Sequence, residues 1–170
     1  MNVFKIQKVS NPNMINEQIK KALLIISKRL KNTKIRWVIV GSASLALQGV
    51  EVKPNDIDIL TDKEGAFKIN KILKEYEVRP VEFRRSELWE SYLGEFNIKG
   101  VKVEVMGDLR KVNGELISIS EKLSNANFVR LNEEKIPVAS LTDQLESYRR
   151  IKRKEDLIKV QKIKEKLKKV

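Results

Sequence analysis

A mixed β-sheet with helices packed on it and a basic helix at the C-terminal end, an α/β (α+β) architecture, is what this sequence predicts. Short runs of β-branched residues alternate with stretches whose apolar side chains recur every three or four positions. Taken in order these stretches run α-β-α-β-α-β-β-β-α, the succession of a mixed sheet covered by helices. The third observation is size: 170 residues, 41% of them hydrophobic, supply one core, so we expect a single compact unit over residues 1–140 and a helical extension over 141–170 packed on it.

The elements follow from local pattern. Asn11-Pro12-Asn13 is a break, after which Ile15, Ile19, Ala22, Leu23, Ile26 and Leu30 fall on one helical face that ends near Asn32. Ile35 to Val40 is a β-branched run closed by Gly41 and predicts a buried strand. Ser42 to Gln48 suits a brief helix capped by Ser42 and stopped at Gly49. Glu51 to Asn55, with Pro54, is a loop, and Asp56 to Thr61 alternates acid and aliphatic residues as a half-buried strand does. Ala66 to Tyr76 is helical. Strands are expected at Val78–Arg84, Tyr92–Ile98 and Val101–Met106, the last two joined by a turn at Lys99-Gly100. Asp108 to Ala126 gives no clear pattern. Phe128–Leu131 and Lys135–Val138 form either a small hairpin or a loop. From Leu141 one helix is expected, with Leu157, Val160, Ile163, Leu167 and Val170 on its apolar face.

Composition excludes whole classes of chemistry. The chain has no cysteine and no histidine, so disulfides, thiol nucleophiles, Ser-His-Asp relays and Cys/His zinc sites are all ruled out. Any metal would be held by oxygen, which favours a hard ion such as Mg²⁺. Of the formal charge of +12, residues 149–170 contribute +8, eleven Lys/Arg against three acids. Such a segment is either a solvated helix with a lysine-rich face or a surface for nucleic acid, nucleotide phosphate or an anionic membrane. Lysine and glutamate richness without cysteine also fits a heat-adapted protein. Met1 to Ser10 has no signal-peptide core, and the longest apolar stretches, Ala22–Ile26 and Trp37–Val40, are far short of a bilayer span. A soluble, cytoplasmic protein is expected.

Three places carry candidate chemistry. Asp56 and Asp58, two apart on a strand, put both carboxylates on one face, their Cα atoms roughly 6.6 Å apart, close enough to share an ion. An edge strand with an acidic solvent face would show the same pattern. Glu104 lies on a second alternating strand, and if the two strands are neighbours three carboxylates meet, the donor set of a two-metal phosphoryl- or nucleotidyl-transfer site. Gly41 and Ser42 stand where a buried strand turns into a helix, whose free N–H groups and dipole favour phosphate.

Val38-Ile-Val-Gly-Ser-Ala-Ser-Leu-Ala-Leu-Gln-Gly49 followed by Asp56-Ile-Asp58 resembles the signature of the DNA polymerase β-like nucleotidyltransferase superfamily. The likeness is greatest to its small, mostly uncharacterised prokaryotic members and to the minimal and aminoglycoside- or lincosamide-modifying types, and it covers roughly residues 35–106. The resemblance implies that Gly41 and Ser42 hold a nucleoside triphosphate (NTP), that Asp56 and Asp58 bind Mg²⁺, and that Glu104 is the third carboxylate. It implies attack of an acceptor hydroxyl on the α-phosphate of an NTP, ATP foremost, with release of pyrophosphate; the acceptor is a small molecule, a protein or an RNA end. Many members carry Arg and Thr ahead of the first aspartate, where this chain has Val52-Lys-Pro-Asn55; Lys53 would supply a point charge in place of a bidentate fork.

Other positions are read more plainly. Asp108 and Arg110 either border the cleft or belong to a loop. Tyr148 to Asp156 looks like the basic-then-acidic helix that follows the core in several relatives, with Lys152 and Lys154 able to reach phosphate or simply solvated. Trp37 and Trp89 read as packing residues. Two rival functions stand beside transfer: a non-catalytic binding module of the same fold, as an antitoxin-like partner or pseudoenzyme, and a nucleic-acid-binding protein working through residues 149–170. Labelled-NTP transfer separates the first from an enzyme, and a steep salt dependence of affinity would mark the second.

Overall fold

The computed structural model describes residues 6–9 and 12–169. Its strands are β1 (Ile6–Lys8), β2 (Trp37–Val40), β3 (Asp56–Thr61), β4 (Glu77–Arg85), β5 (Trp89–Ile98), β6 (Val101–Lys111), β7 (Asn127–Leu131) and β8 (Glu134–Val138). The helices are α1 (Glu17–Leu30), α2 (Gly41–Leu47), α3 (Lys63–Ile72), α4 (Ile119–Ser124), α5 (Leu141–Ile151) and α6 (Asp156–Lys168). One eight-stranded sheet runs in the order β1-β7-β8-β2-β3-β6-β5-β4. Pairing is parallel at β1/β7, β8/β2 and β3/β6 and antiparallel elsewhere, the mixed sheet that the element order predicts.

Alternation along β3 and β6 sets the layers. Ile57, Ile59, Val103 and Val105 point to one face and are buried beneath α1 and α3, together with Ile19, Leu23, Ile26 and Ile69. The opposite face carries Asp56, Asp58, Lys102 and Glu104 in its middle. Further along, Leu60 and Met106 join Val38 and Ala139 under α4. α2 lies between two cores: Ala43, Ala46 and Leu47 face the sheet, whereas Leu45 packs with Leu141, Leu145, Tyr148 and Ile163 of α5 and α6.

Several boundaries differ from expectation for identifiable reasons. α1 is capped by Asn16, whose Oδ1 accepts from Ile19 N at 2.8 Å, and the Pro12–Met14 stretch is a separate 3₁₀ turn; Asn11 and Val170 lie outside the described residues, as do Met1–Lys5 and Ser10. α3 begins at Lys63, not Ala66, because Asp62 accepts from Gly65 N at 2.6 Å and caps it. Ser42 does not cap α2: the helix starts at Gly41, and Val40 holds the cap position without a side-chain bond. The segment expected as one C-terminal helix is two, broken where Lys152 takes a left-handed φ of 56°. Its stripe is only partly buried: Ile163 is in the core, and Leu157 is 63% exposed.

β6 runs five residues past Met106, through Gly107. A β-carbon there would stand 2.7 Å from Ala66 Cβ and 2.8 Å from the Asp62 carbonyl oxygen, so the bare glycine lets α3 seat on the sheet. Gly107→Ala is expected to cost about 1–3 kcal/mol through overpacking against backbone, read as a lower urea midpoint at unchanged slope.

Candidate functional site

β3 is a central strand, between β2 and β6, so the acidic pattern is not that of an edge. The register sets Asp56 opposite Lys102 and Asp58 opposite Glu104. The third carboxylate therefore arises where adjacency of the two strands would bring it, on the same face as the aspartate pair and beside Asp58. Its carboxylate forms an ion pair with Lys102, which also faces Glu95 at 3.9 Å. Glu104's hydrogen bond holds the Lys102 ammonium above the ordinary lysine pKa.

Asp58 is the strained group. Burial, then the charges of Asp56 and Glu104, raise its pKa from the ordinary 3.8 to about 7, against a smaller opposing pull from Lys102 and Lys159. Gly41 faces it directly: φ is +72°, and a β-carbon would lie 2.8 Å from Asp58 Oδ2. Val40 pairs with Asp58 across β2 and β3, which is why the turn after β2 runs over that carboxylate.

The donor set suits a hard divalent cation. It is all oxygen, and the cost of keeping Asp58 ionised beside two other acids is what a cation would relieve. Among the described residues no three acidic side chains stand close enough together to hold a metal ion. The arrangement is two plus one: Asp56 and Asp58 as the pair, Glu104 engaged by Lys102.

Behind the Gly41–Ser42 turn a buried polar network fixes the backbone. Gln48 Nε2 donates to the Ala139 carbonyl at 2.9 Å and to Ser44 O at 3.0 Å. Gln144 Nε2 donates to Ser44 Oγ at 2.9 Å, and Asn127 Nδ2 to Gln48 Oε1 at 2.9 Å. α2, α5 and the β7–β8 hairpin are thereby tied together with their polar groups satisfied. Neither glutamine was singled out from sequence, where each reads as an ordinary helix residue.

The face opens into a cavity of about 800 Å³ that includes Gly41, Ser42, Asp56, Asp58 and Glu104. Lys53 lines it as well, in the stretch where the sequence departs from the pattern. So do Arg84, Arg85 and Trp89, none anticipated; Trp37 alone of the two tryptophans is a core residue. From the C-terminal segment Tyr148, Arg153 and Lys159 reach the cavity, and Lys152 and Lys154 do not. Asp108 and Arg110 are likewise absent from its wall; Asp108 instead accepts from Lys63 N at 3.1 Å.

Asp156, 1% exposed, anchors this corner. Arg153 Nε lies 2.8 Å from Oδ2 and Lys159 Nζ 3.6 Å from Oδ1, and Lys159 also stands 5.3 Å above the Tyr148 ring. Burial, with the charges of Asp156 and Asp58, holds the Tyr148 hydroxyl proton well above the usual phenol range. Much of the basic segment is thus engaged: Arg149 pairs with Glu146, Arg150 with Glu115, and Lys162 donates to the Glu51 carbonyl at 2.6 Å. Among the described residues no helix is long and apolar enough to cross a membrane.

No protein of curated function matches the chain. Among solved structures, a candidate nucleotidyltransferase from Thermotoga maritima is 39% identical over 87% of this chain and 91% of its own, with a TM-score of 0.70. A lincosamide antibiotic adenylyltransferase bound to lincomycin (16% identity, 88% and 97% covered, TM-score 0.57) shares the fold. So does ANT(2″)-Ia in complex with adenylyl-2″-tobramycin (12%, 87% and 88%, 0.57). The aminoglycoside-2″-adenylyltransferase family model matches residues 22–163, and with five-sixths of the sequence so covered, the chain belongs to that family of nucleotidyltransferases.

Proposed function

We propose that this protein is a Mg²⁺-dependent nucleotidyltransferase that moves a nucleoside monophosphate from an NTP, ATP foremost, to a hydroxyl acceptor. The observation that carries this reading is the Asp58–Glu104 register with Asp56 on the same face, opening into one cavity with Gly41 and Ser42. Family membership supplies the reaction class.

In this reading Gly41 and Ser42 hold the triphosphate and orient its α-phosphate towards the acceptor. The acceptor oxygen bonds to the α-phosphorus as the bond from that phosphorus to the β-phosphate oxygen breaks, and pyrophosphate leaves. Asp56 and Asp58 would hold the divalent ion, with Glu104 as the third carboxylate. When bound, the ion neutralises charge developing on the phosphate oxygens and lowers the acceptor's pKa. The hydroxyl proton passes to a carboxylate, since the chain has no histidine; Glu104, freed from Lys102, is the group beside Asp58 that can take it. Residues 1–140 form the catalytic core in this account, and 141–170 the extension that brings Tyr148, Arg153 and Lys159 to the cavity.

Melting temperature tests the binding step. ATP with Mg²⁺ is expected to stabilise the wild type, and ATP with a chelator much less; Asp56→Ala is expected to lose the Mg²⁺-dependent part. An equal shift with and without Mg²⁺ would count against the metal. Gly41→Ala is expected to lower transfer about a hundredfold, by displacing the Asp58 carboxylate and straining a turn held at φ +72°, and to weaken ATP-dependent stabilisation with it.

A further inference from the structure

The registers across the sheet sort the cavity floor into two rows. Glu95, Glu104, Asp58 and Val40 stand opposite one another from β5 through β6 and β3 to β2. Two residues along each strand, Leu93, Met106, Leu60 and Val38 do the same. Side chains two apart share a face, so an apolar row lies beside the acidic one, about 6.6 Å away at a rise of about 3.3 Å per residue.

A bulge extends the apolar row. Between the pairs Tyr92–Gly107 and Glu90–Arg110, Asp108 and Leu109 of β6 face the single residue Ser91 of β5, and Asp108 takes a left-handed φ of 48°. The extra residue turns Leu109 back to the face of Met106, the re-aiming that a bulge performs. Ile117 N donates to the Leu109 carbonyl at 2.8 Å, which holds the two side by side. Met106, Leu109 and Ile117 pack on the cluster that contains Leu60, are themselves half-buried, and line the cavity with Leu93. Their open sides form an apolar slot one two-residue step from Asp58 and Glu104. The charged groups around it are turned to other partners. Glu95 faces Arg79 at 3.6 Å and Lys102 at 3.9 Å, and Lys122 faces Asp143 at 3.9 Å. Arg84 is held by Glu82 at 2.8 Å and the Leu93 carbonyl at 3.4 Å, and Arg85 faces Glu90 at 3.9 Å.

The order of the strands gives the slot its direction. The Gly41 turn follows β2, the aspartates are on β3, and Glu104 and Leu93 come next on β6 and β5. In-line displacement puts the attacking oxygen across the α-phosphorus from the departing pyrophosphate. With pyrophosphate at Gly41 and Ser42 and the α-phosphate over Asp58, that oxygen arrives from the Glu104 and β5 side, where the slot opens. Among the described residues Glu104 is the only carboxylate lining that side, which gives a polycation little to hold. We propose that the acceptor is a hydroxyl compound with an uncharged apolar body, aromatic or branched aliphatic, seated on Leu93, Met106 and Leu109, and not a polycationic aminoglycoside. The inference rests on the transfer reading, whose acceptor it specifies. The hydroxyl oxygen bonds to the α-phosphorus, its proton passes to Glu104, and the electron pair of the broken P–O bond leaves with pyrophosphate.

The chain has three methionines, Met1, Met14 and Met106, so a spectrum of methyl-¹³C-methionine isolates the slot without any need for turnover. Met106→Leu identifies the signal. The labelled full chain, with and without Mg²⁺ and α,β-methylene ATP, is titrated with 3-phenylpropan-1-ol, glycerol and tobramycin. The phenylpropanol carries its hydroxyl on a short methylene arm, and is expected to move the Met106 signal saturably and leave Met14 in place. Glycerol and tobramycin are expected to bind at least about tenfold more weakly, the factor that apolar contact supplies in such a pocket. Leu93→Gln and Leu109→Gln, both at half-buried positions, are each expected to weaken phenylpropanol about tenfold, so the test does not depend on one variant folding. A Met106 signal that phenylpropanol leaves unmoved, or that tobramycin moves as readily, overturns the proposal. So does phenylpropanol binding that the variants retain. Competition between phenylpropanol and the ATP analogue would assign the slot to the nucleobase and also overturn it. If ATP with Mg²⁺ fails to stabilise the wild type, the transfer reading is overturned instead, and the Met106 signal still decides whether the slot prefers an apolar body.

Discussion

Asp58→Asn is expected to lower nucleotidyl transfer by about a thousandfold or more, roughly 4 kcal/mol of barrier, and at the same time to stabilise the resting protein at neutral pH. Both effects come from one carboxylate. Burial and the charges of Asp56 and Glu104 raise its pKa from 3.8 to about 7 in the folded chain. Between those values the folded state holds a proton that the unfolded state has released, so stability falls as pH rises from about 4 and the penalty is complete above about 7. Asparagine has no proton to lose. Melts in chelator should therefore give similar stabilities below pH 4 and a widening advantage for Asp58→Asn up to about pH 8. Mg²⁺ should narrow that advantage and, at pH 6, release protons from the wild type as it binds. Equal stability of the two proteins at pH 8 would mean that Asp58 carries no such penalty.

Asp156→Ala is expected to cost about 3–5 kcal/mol, the largest stability loss of any single substitution considered. Asp156 is 1% exposed and is the shared partner of Arg153 and Lys159, so its removal takes the buried counter-charge from both and leaves Arg153 only the exposed Glu155 at 3.8 Å. The same change loosens the corner where α6 meets Tyr148 and weakens the hold of Arg153 and Lys159 on the cavity. A lower urea midpoint should be accompanied by weaker ATP-dependent stabilisation. If Asp156→Asn restores stability but not nucleotide affinity, the charge serves the cavity and the hydrogen bond serves the fold.

What was legible in the sequence was whatever a local pattern encodes. Asp56–Thr61 is a strand over the predicted residues because its alternation is strict, and Lys99-Gly100 turns as expected, with both residues at positive φ. The site's floor followed from periodicity: a two-residue spacing puts Asp56 and Asp58 on one face, and the same rule places Glu104 once β6 lies beside β3. What escaped depends on tertiary approach. Gly107 reads as a strand breaker but is the contact that seats α3, and the Asp62 cap is hidden by the Gly65 that follows it. The left-handed Lys152 that divides α5 from α6 has no glycine to announce it. Arg84 and Arg85 lie on β4, three strands from the aspartates, and Trp89 on β5, two strands away, and nothing in their own segment says that they line the same cavity as Asp58. Arg153 was within the segment singled out by its basic-then-acidic pattern and Lys159 only within the basic stretch 149–170, and which of these cations turn inward was set by burial of Asp156.

The most direct test of the transfer mechanism uses ATP labelled separately at its α- and γ-phosphates, incubated with the protein, Mg²⁺ and a metabolite extract as the source of acceptor. The α-label should move to a new compound with one pyrophosphate released per transfer, the γ-label should appear only in pyrophosphate, and both events should vanish in Asp58→Asn and in chelator. Movement of the γ-label to an acceptor, or α-transfer that Asp58→Asn leaves intact, would contradict it.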